Sequence, residues 1–242
     1  MHIFVIGSYV QGYCWNVDWV PKAGETLIAT GLNIEPGGKG LNVAVCSKRL
    51  GAEVSALFGI GEDSAGENLK NVLLQENIST NHTHTLAKQS GYATGMIAKN
   101  GQNAIAVFPG PNLLLDATHV SQAELDLKLA DIVYGQFEGA YQAIELSFSY
   151  AKSKNIKTVL NPSPWQEISQ NMLNNTDIII VNEVEVLHLL SIDYVQSESL
   201  KNTLQTLQDW QFFFTIASEI TITALAGGIT GSNIGRTRLH SH

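Results

Sequence analysis

The sequence has few cysteines and no long apolar run. Cys14 and Cys46 are its two cysteines among 242 residues, which favours free thiols in a reducing compartment. No segment approaches the roughly 20 apolar residues that a transmembrane helix needs. The first apolar run, residues 3–6, is too short for a signal peptide. We therefore expect a cytoplasmic protein that does not bind a membrane.

Basic residues are also scarce. The chain has 14 Lys and Arg against 22 Asp and Glu, and its net charge is −8. A nucleic-acid partner is therefore disfavoured, because phosphate contacts need clustered basic side chains. The apolar content of 44% is enough for the core of one sizeable domain.

Short apolar runs alternate along the chain with segments of helical spacing. Such runs, when turn signals bound them, are typical of buried strands. Because strands that alternate with helices form a parallel sheet covered by helices, the pattern predicts an α/β fold. The predicted strands are 3–6, 54–61, 132–135, 158–161 and 177–182, and the predicted helices are 40–50, 64–76, 140–154, 166–173 and 183–190.

Two segments break this alternation. Residues 13–34 are predicted to be extended, with a turn near Pro21 and Gly24. Residues 92–108 flank the dipeptide Asn100-Gly101, which is a strong hairpin signal. Together they predict an accessory β element attached to the α/β core.

The stretch PGGKGLNVAV, residues 36–45, places three glycines around one lysine. A Walker A loop is excluded, because Gly40 follows Lys39 where Ser or Thr is required. A dinucleotide fingerprint is excluded, because Val43 occupies the position of its last glycine, and this disfavours a dinucleotide-dependent oxidoreductase. What remains is a glycine turn at a helix start. From the residues alone, a structural turn and a ligand-binding loop are equally open.

The surrounding sequence resembles a known family. GGKGLNVAVCSKRLGAEV, residues 37–54, is similar to the first signature of the ribokinase-like (PfkB) carbohydrate kinases. The resemblance covers about residues 2–223 and includes several further segments in the order of the family. These are GSYVQGYCWNVDWVPKAGET (7–26), FGIGEDSAGENLKNVLLQENI (58–78), PGPN (109–112), NPSP (161–164) and VNEVE (181–185).

The resemblance implies both a fold and a reaction. The fold is a Rossmann-like, mostly parallel central sheet with helices on both faces. A small β lid, formed by residues 13–34 and 92–108 of a domain over 1–223, would cover the sugar site. The reaction is transfer of the γ-phosphoryl group of ATP to a sugar hydroxyl, with Mg²⁺ neutralising charge. The sugar and ATP are then the partners, and the lid could pair two copies as a homodimer.

The resemblance also assigns a sugar site. Gly38, Lys39, Gly40 and Asn42 match the loop and helix start that contact the sugar in the family, and Glu138 matches its sugar-binding acid. An amide and a carboxylate suit vicinal hydroxyls, because together they donate and accept. The alternatives are a polar residue in a helix's first turn for Asn42 and an exposed loop acid for Glu138.

A second pair matches the nucleotide end of the family. Asn182 and Glu185 correspond to an N-x-x-E element near the ATP phosphates, where Glu185 would contact Mg²⁺ through water. The alternative is a helix start with Asn182 as the N-cap and Glu185 at the third helical position. Both interpretations can hold together.

The sequence departs from the family at two sugar contacts. Val10 and Gly12 stand where the family has polar residues, so the preferred sugar should differ from ribose. Asn16 or Asp18 could compensate from the same strand face. Two alternatives follow from the family reading: a nucleoside kinase, for which Tyr13 and Trp15 could hold the base, and a non-catalytic sugar-binding remnant.

The resemblance ends before residues 224–242, which are glycine-rich and contain no acid. The second family signature, D-T-x-G-A-G-D, whose last Asp is the catalytic base, is not found there. We therefore expect a truncated and inactive kinase with no catalytic residue of its own. A frame change or an early end of the coding sequence could produce such a chain. We also expect the tail to be poorly ordered.

The remaining features predict no function. His82 and His84 are predicted to be exposed loop histidines, Cys14 and Cys46 to be buried thiols, and residues 212–214, FFF, to belong to the core. His240 and His242 lie in the tail and are assigned no role.

Overall fold

The computed structural model describes residues 1–190, 211–216 and 219–221. Within this part of the chain, eight strands form a central sheet. They are β1 His2–Ile6, β4 Glu53–Gly61, β5 Thr83–Ala87, β8 Ile132–Gln136, β9 Lys157–Asn161, β10 Ile178–Asn182, β11 Gln211–Ile216 and β12 Glu219–Thr221. Their order across the sheet is β12-β11-β10-β9-β8-β1-β4-β5, and all neighbours are parallel except β11 and β12.

Helices cover both faces of this sheet. They are α1 Lys39–Arg49, α2 Ser64–Gln75, α3 Ala117–Gln122, α4 Glu124–Leu129, α5 Tyr141–Ser153, α6 Gln170–Asn174 and α7 Glu183–Leu190. Consecutive residues of a strand point to opposite faces. Phe4 of β1 accordingly packs into a core with α4 and α5, and Val5 packs into a second core with α1 and α2. The predicted parallel α/β fold is confirmed.

A second, four-stranded sheet is attached to this core, and we call it the small sheet. It consists of β2 Val10–Val17, β3 Gly31–Gly37, β6 Gly91–Ala98 and β7 Asn103–Phe108, in the order β3-β2-β6-β7. The strands β6 and β7 form the hairpin that Asn100-Gly101 predicts. Gly101 adopts φ 84° and donates its N–H to Ala98 O at 2.9 Å.

Local signals place the helix ends. Helix α1 ends at Leu50 and Gly51, where Gly51 has φ 90°, as its predicted role at the helix stop requires. Helix α2 begins at Asp63, whose carboxylate accepts the Gly66 N–H. The predicted helix over 166–173 begins later, at Gln170, because the Ser169 hydroxyl caps the Met172 N–H there.

Two predictions about side chains are wrong. His82 and His84 are not exposed loop residues: both are partly buried, His84 lies within β5, and His82 Nε2 is 2.8 Å from Asp126 Oδ2. No sequence pattern predicted β5 or the helices that pack beside it. Cys46 is exposed, because α1 buries Leu41 and Ala44 on its opposite side.

Some predictions lie outside the described residues. The tail, 224–242, is among them, and so is the burial of the FFF side chains, although their backbone forms part of β11. In the described part of the chain, no helix combines the length and the apolarity that crossing a bilayer requires.

Candidate functional site

The candidate site lies where the strand order of the central sheet reverses. From β1 the chain proceeds through β4 and β5 to one side of the sheet and through β8 to β10 to the other. Open α/β sheets bind ligands at such a point, beyond the carboxyl ends of the strands. Ser8 follows β1 and Glu138 follows β8, so both side chains lie at this edge.

The glycine turn brings α1 against the end of β1. Gly38 adopts φ 105°, and a Cβ atom there would lie 2.5 Å from Ser8 O. A Cβ atom on Gly40 would lie 2.2 Å from Ser8 N. Both contacts are with backbone, which cannot move aside, so these two positions require glycine. The turn is thus a close-packed junction as well as a candidate ligand loop.

Glu138 and Ser8 together cap the start of α1. Gly38, the N-cap residue, has no side chain to fill this role. Instead, Glu138 Oε2 accepts the Lys39 N–H at 2.8 Å and the Ser8 hydroxyl at 2.8 Å, while Ser8 Oγ accepts the Gly40 N–H at 3.1 Å. A carboxylate at a helix N-terminus is stabilised by the unpaired N–H groups and the helix dipole.

The same carboxylate pairs with the lysine of the turn. Lys39 Nζ donates to Glu138 Oε1 at 2.8 Å, and the Lys39 and Glu138 side chains are 42% and 23% exposed. Gln136, which is fully buried, orients the loop by accepting the Glu138 N–H at 2.5 Å. We call Ser8, Lys39 and Glu138 the carboxylate cluster. Glu138 is therefore not the exposed loop acid of the alternative interpretation.

A buried tyrosine lies beneath this cluster. Burial raises the pKa of Tyr134, and the negative charges of Glu138 and Glu185 raise it further. Its phenol therefore stays neutral at physiological pH, and the negative charge at this end of the sheet belongs to the carboxylates.

A cavity of about 710 Å³ opens beside the carboxylate cluster. Its polar wall carries Lys39, Asn42 and Glu138, and Asn42 is exposed on the first turn of α1. No hydrogen bond between described residues uses the Asn42 amide. The structure thus brings Gly38, Lys39, Asn42 and Glu138 together at one cavity, as the resemblance implies. Gly40 lies beneath them against β1.

The opposite wall of the cavity is apolar and belongs mainly to the small sheet. Val10, Ala93, Ile105 and Val107 line it. Neither candidate for compensating polarity reaches it: Asn16 is exposed outside the lining, and Asp18 pairs with Lys99 at 2.6 Å. Phe137 and Leu113 add to the apolar part, and the loop after β9 contributes Trp165 and Gln166 to the lining.

Tyr13 and Trp15 lie on the other face of the small sheet. With Tyr92 and Phe108 they line a separate groove of about 380 Å³. Tyr13 stacks on Tyr92, with ring centroids 6.3 Å apart. Because side chains alternate along β2, Tyr13 and Trp15 point away from the cavity that Val10 lines. They are therefore not placed to hold the base of a nucleoside bound beside Lys39.

Asn182 and Glu185 lie at the end of β10 and the start of α7. Glu185 is buried, its Oε2 accepts the Asn182 N–H and its Oε1 accepts the Asn182 amide, both at 3.0 Å. The Glu185 N–H donates to Asn182 Oδ1 at 2.9 Å. This is the reciprocal helix cap of the alternative interpretation.

The geometry of this pair does not fit direct magnesium coordination. Mg²⁺ requires several oxygen ligands, and here a single buried carboxylate has both oxygens engaged in the cap. The described residues contain no group of three or more His, Cys, Asp or Glu side chains placed to hold a metal ion. Contact of Glu185 with Mg²⁺ through water stays a prediction.

Sequence reasoning missed two supporting residues. Ser8 is fully buried at the carboxylate cluster. Asn112 is also buried, and its amide joins the small sheet to the following loop by donating to Tyr9 O and Pro109 O and accepting the Tyr9 N–H. The position of Ser8 directly after a buried strand was a signal for the first. Asn112 lies within PGPN, but its partners are distant in sequence.

Known proteins resemble this chain in sequence and in fold. A family model described as pfkB family carbohydrate kinase matches residues 2–215. A ribokinase of Haemophilus influenzae is 34% identical over 236 residues, which cover 97% of this chain and 76% of that protein.

Two solved structures share the fold. A ribokinase of Cryptococcus neoformans in complex with ADP has a TM-score of 0.81 at 23% identity, covering 99% of this chain and 79% of its own. An Arabidopsis thaliana ribokinase complexed with ribose and ATP has a TM-score of 0.77 at 21% identity, covering 89% and 72%. At these identities the likeness shows the fold alone.

Proposed function

Because this chain belongs to the pfkB family of carbohydrate kinases, we propose that its cavity binds a monosaccharide whose hydroxyl accepts the γ-phosphoryl group of ATP. The relatives named ribokinase favour a pentose. ATP is proposed as co-substrate because a structural neighbour is described with ribose and ATP.

The carboxylate cluster with Asn42 is the observation that carries the proposal. Lys39 donates, the Glu138 carboxylate accepts, and the Asn42 amide does both, so hydroxyls on one edge of a sugar find partners at the cavity's polar wall. Oxygen Oε1 of Glu138 accepts one hydrogen bond from Lys39 and retains a lone pair that faces no described donor. Gly38 lines the cavity with backbone that a ligand can approach, whereas Gly40 packs against Ser8 beneath it.

These residues position the sugar, and the transfer step needs further groups. Phosphoryl transfer depends mainly on alignment and on neutralisation of charge. The wall supplied by the small sheet would exclude water from the bound hydroxyls. Mg²⁺, when bound, would neutralise the phosphate charge, and in the described part of the chain no group of three or more His, Cys, Asp or Glu side chains is placed to hold it.

Titration calorimetry with a panel of pentoses tests the sugar site. We expect the wild type to bind at least one pentose, and Asn42→Ala to weaken that binding by about tenfold or more, because a sugar hydroxyl that leaves water would then lack its partner in the site. Asn100→Ala, in the exposed hairpin turn, is the matched control and should bind like the wild type. Equal affinity of Asn42→Ala and wild type would contradict the proposal.

A coupled ADP-release assay tests turnover. These 242 residues contain no D-T-x-G-A-G-D segment. We therefore propose that on their own they bind sugar without efficient phosphoryl transfer. The panel comprises pentoses, hexoses and nucleosides. Turnover well above background with any of them would show that this stretch of chain supplies its own base.

The outer face of the small sheet is a candidate surface for pairing two copies. Leu32, Ile34 and Phe108 are 41%, 55% and 53% exposed there, next to the groove lined by Tyr13 and Trp15. An apolar patch of this kind marks an interaction site. We propose a second copy of this chain as its occupant, in keeping with the homodimer that the resemblance implies.

Light scattering coupled to size exclusion tests the homodimer. Ile34→Lys should shift it toward the monomer, because a buried unpaired charge disrupts an apolar interface. Leu125→Lys, on the exposed side of α4, is the control. A wild-type monomer at all concentrations would refute the pairing.

A further inference from the structure

We propose that the cavity selects a deoxypentose, a sugar that carries hydrogen instead of a hydroxyl at the ring position facing Val10. This inference rests on the proposed function, because it assigns a substrate class to the same cavity. It comes from the division of the cavity into one polar and one apolar wall.

The small sheet gives the cavity no hydrogen-bonding side chain. Gly12 pairs with Ala93, and Ala93 pairs with Val107, so the three share one face of the sheet. Val10 and Ile105 belong to the same face and line the cavity with Ala93 and Val107. A hydroxyl pointing at this wall would have no partner there.

Two polar residues close to this wall, Asn112 and Glu35, cannot compensate for it, and the other polar lining residues, Trp165 and Gln166, belong to the loop after β9 and not to the small sheet. Asn112 lines the cavity, but both of its amide hydrogens and one lone pair are committed to backbone groups of Tyr9 and Pro109. Glu35 pairs with Gly12 on the same face, but it is exposed and is not part of the cavity wall.

The two walls together define the ligand. Hydroxyls on one edge of the sugar are satisfied by Lys39, Asn42 and Glu138. A hydroxyl on the opposite edge would lose its hydrogen bonds to water and gain none, which is unfavourable, whereas a CH₂ group there gains burial. An apolar site rejects an added hydroxyl by a factor of up to about 100, so the expected preference for the deoxy sugar is about tenfold or more.

Titration calorimetry on the 242-residue chain, with D-ribose, 2-deoxy-D-ribose and 3-deoxy-D-ribose, tests the inference. We expect one of the deoxy sugars to bind about tenfold or more tightly than ribose. Val10→Asn should bring the ratio to one or below, because its amide can pair with the added hydroxyl. Val10→Ala, which keeps the wall apolar, should retain the preference.

The outcomes separate this inference from the proposed function. Ribose bound as tightly as both deoxy sugars, or more tightly, would overturn the inference and leave the sugar site standing. Failure of all three sugars to bind would overturn both. The ratio of the wild-type affinities for the deoxy sugars and ribose is enough to decide, so the test does not depend on the folding of a variant. An unchanged ratio in a folded Val10→Asn variant would refute the role of Val10.

Discussion

The carboxylate of Glu138 accepts hydrogen bonds from three donors that belong to two separate segments of the chain. Two are the backbone N–H and the ammonium group of Lys39, and the third is the Ser8 hydroxyl. A charge that is only 23% exposed is stable because each partner is a directed donor. At the scale of single residues, Glu138 therefore orders the helix start as well as offering an acceptor to a ligand.

Ser8→Ala should both destabilise the fold and weaken sugar binding. It removes a hydroxyl that donates to Glu138 and leaves the Gly40 N–H unpaired in a buried place, which costs about 1–3 kcal/mol in the free energy of unfolding. Sugar affinity should fall because Glu138 and Lys39 lose a common anchor. Urea unfolding and calorimetry measure the two effects.

Ser153→Ala is the control for this variant. The Ser153 hydroxyl is exposed and donates to Tyr150 O, so its removal should change stability by less than about 0.5 kcal/mol and leave affinity unchanged. Full sugar affinity in Ser8→Ala would show that the cluster does not depend on Ser8.

At the scale of elements, the turn before α1 depends on close backbone contact. Gly40→Ala would place a methyl group 2.2 Å from Ser8 N. We expect a loss of more than about 2 kcal/mol in stability, because β1 and α1 must separate. Gly95→Ala in β6 is the matched control, since its added carbon meets Ile105 at an ordinary 3.6 Å. Equal melting temperatures for the two variants would contradict this packing.

Asp63 joins α2 to the small sheet. Its Oδ1 accepts the Gly66 N–H and the Ser90 hydroxyl, and its Oδ2 accepts the Ser90 N–H and the Tyr92 hydroxyl. Burial alone would raise the pKa of this carboxyl, but the hydrogen bonds from Ser90, Gly66 and Tyr92 outweigh it and hold the pKa below its usual 3.8.

Asp63→Asn should destabilise the protein in a pH-dependent way. The amide NH₂ would face two donors, at a cost of about 1–3 kcal/mol near neutral pH. A carboxyl whose pKa is lower in the folded state than in the unfolded state stabilises the fold at pH values above its unfolded-state pKa. This stabilisation is lost as the pH falls through the folded-state pKa. The difference from wild type in urea unfolding should thus be constant from pH 7 to about pH 5 and shrink below about pH 4. A difference that is constant down to pH 2 would contradict this linkage.

The elements that the sequence predicted are those with a local signal. The apolar runs that became β1, β4 and β8 are continuous, and Gly51 marks the end of α1. The late start of α6 could not be predicted, because the residue spacing around Ser169 is the same whether Ser169 lies inside a helix or caps its start. Nor was β5, which is paired on one side only and is only partly buried, so its pattern does not show a strand.

The candidate site was predictable only where a family pattern exists. The glycine turn and Glu138 were found through the resemblance, whereas spacing alone left the turn unassigned. The contacts of Ser8 and Asn112 join residues 130 and 103 positions away, so no local pattern reveals them. The opposite orientations of Val10 and Tyr13 required the register of β2.

At the scale of the whole molecule, two apolar cores flank one sheet, and the candidate cavity shares only Phe137 with them among its lining residues. Each core draws on β1, with Phe4 and Ile6 on one side and Val5 on the other. Ligand contacts therefore add to the stability of the fold without replacing core packing, and binding and stability should be thermodynamically linked.

A sugar that binds the folded state and not the unfolded state should raise the free energy of unfolding by an amount set by its affinity. At a free concentration of 100 times Kd, the free energy of unfolding should rise by about 2.7 kcal/mol. Denaturant unfolding with and without the sugar measures this rise. Asn42→Ala at the same sugar concentration should show a much smaller rise, and an equal one would mean that the sugar binds elsewhere.

The connections of the small sheet to the body are very short. Only residues 7–9 separate β1 from β2, and only Gly38 separates β3 from α1. Rotation of the small sheet would displace Ser8 and Lys39 together and separate both from Glu138. The geometry of the carboxylate cluster is thus coupled to the position of the small sheet.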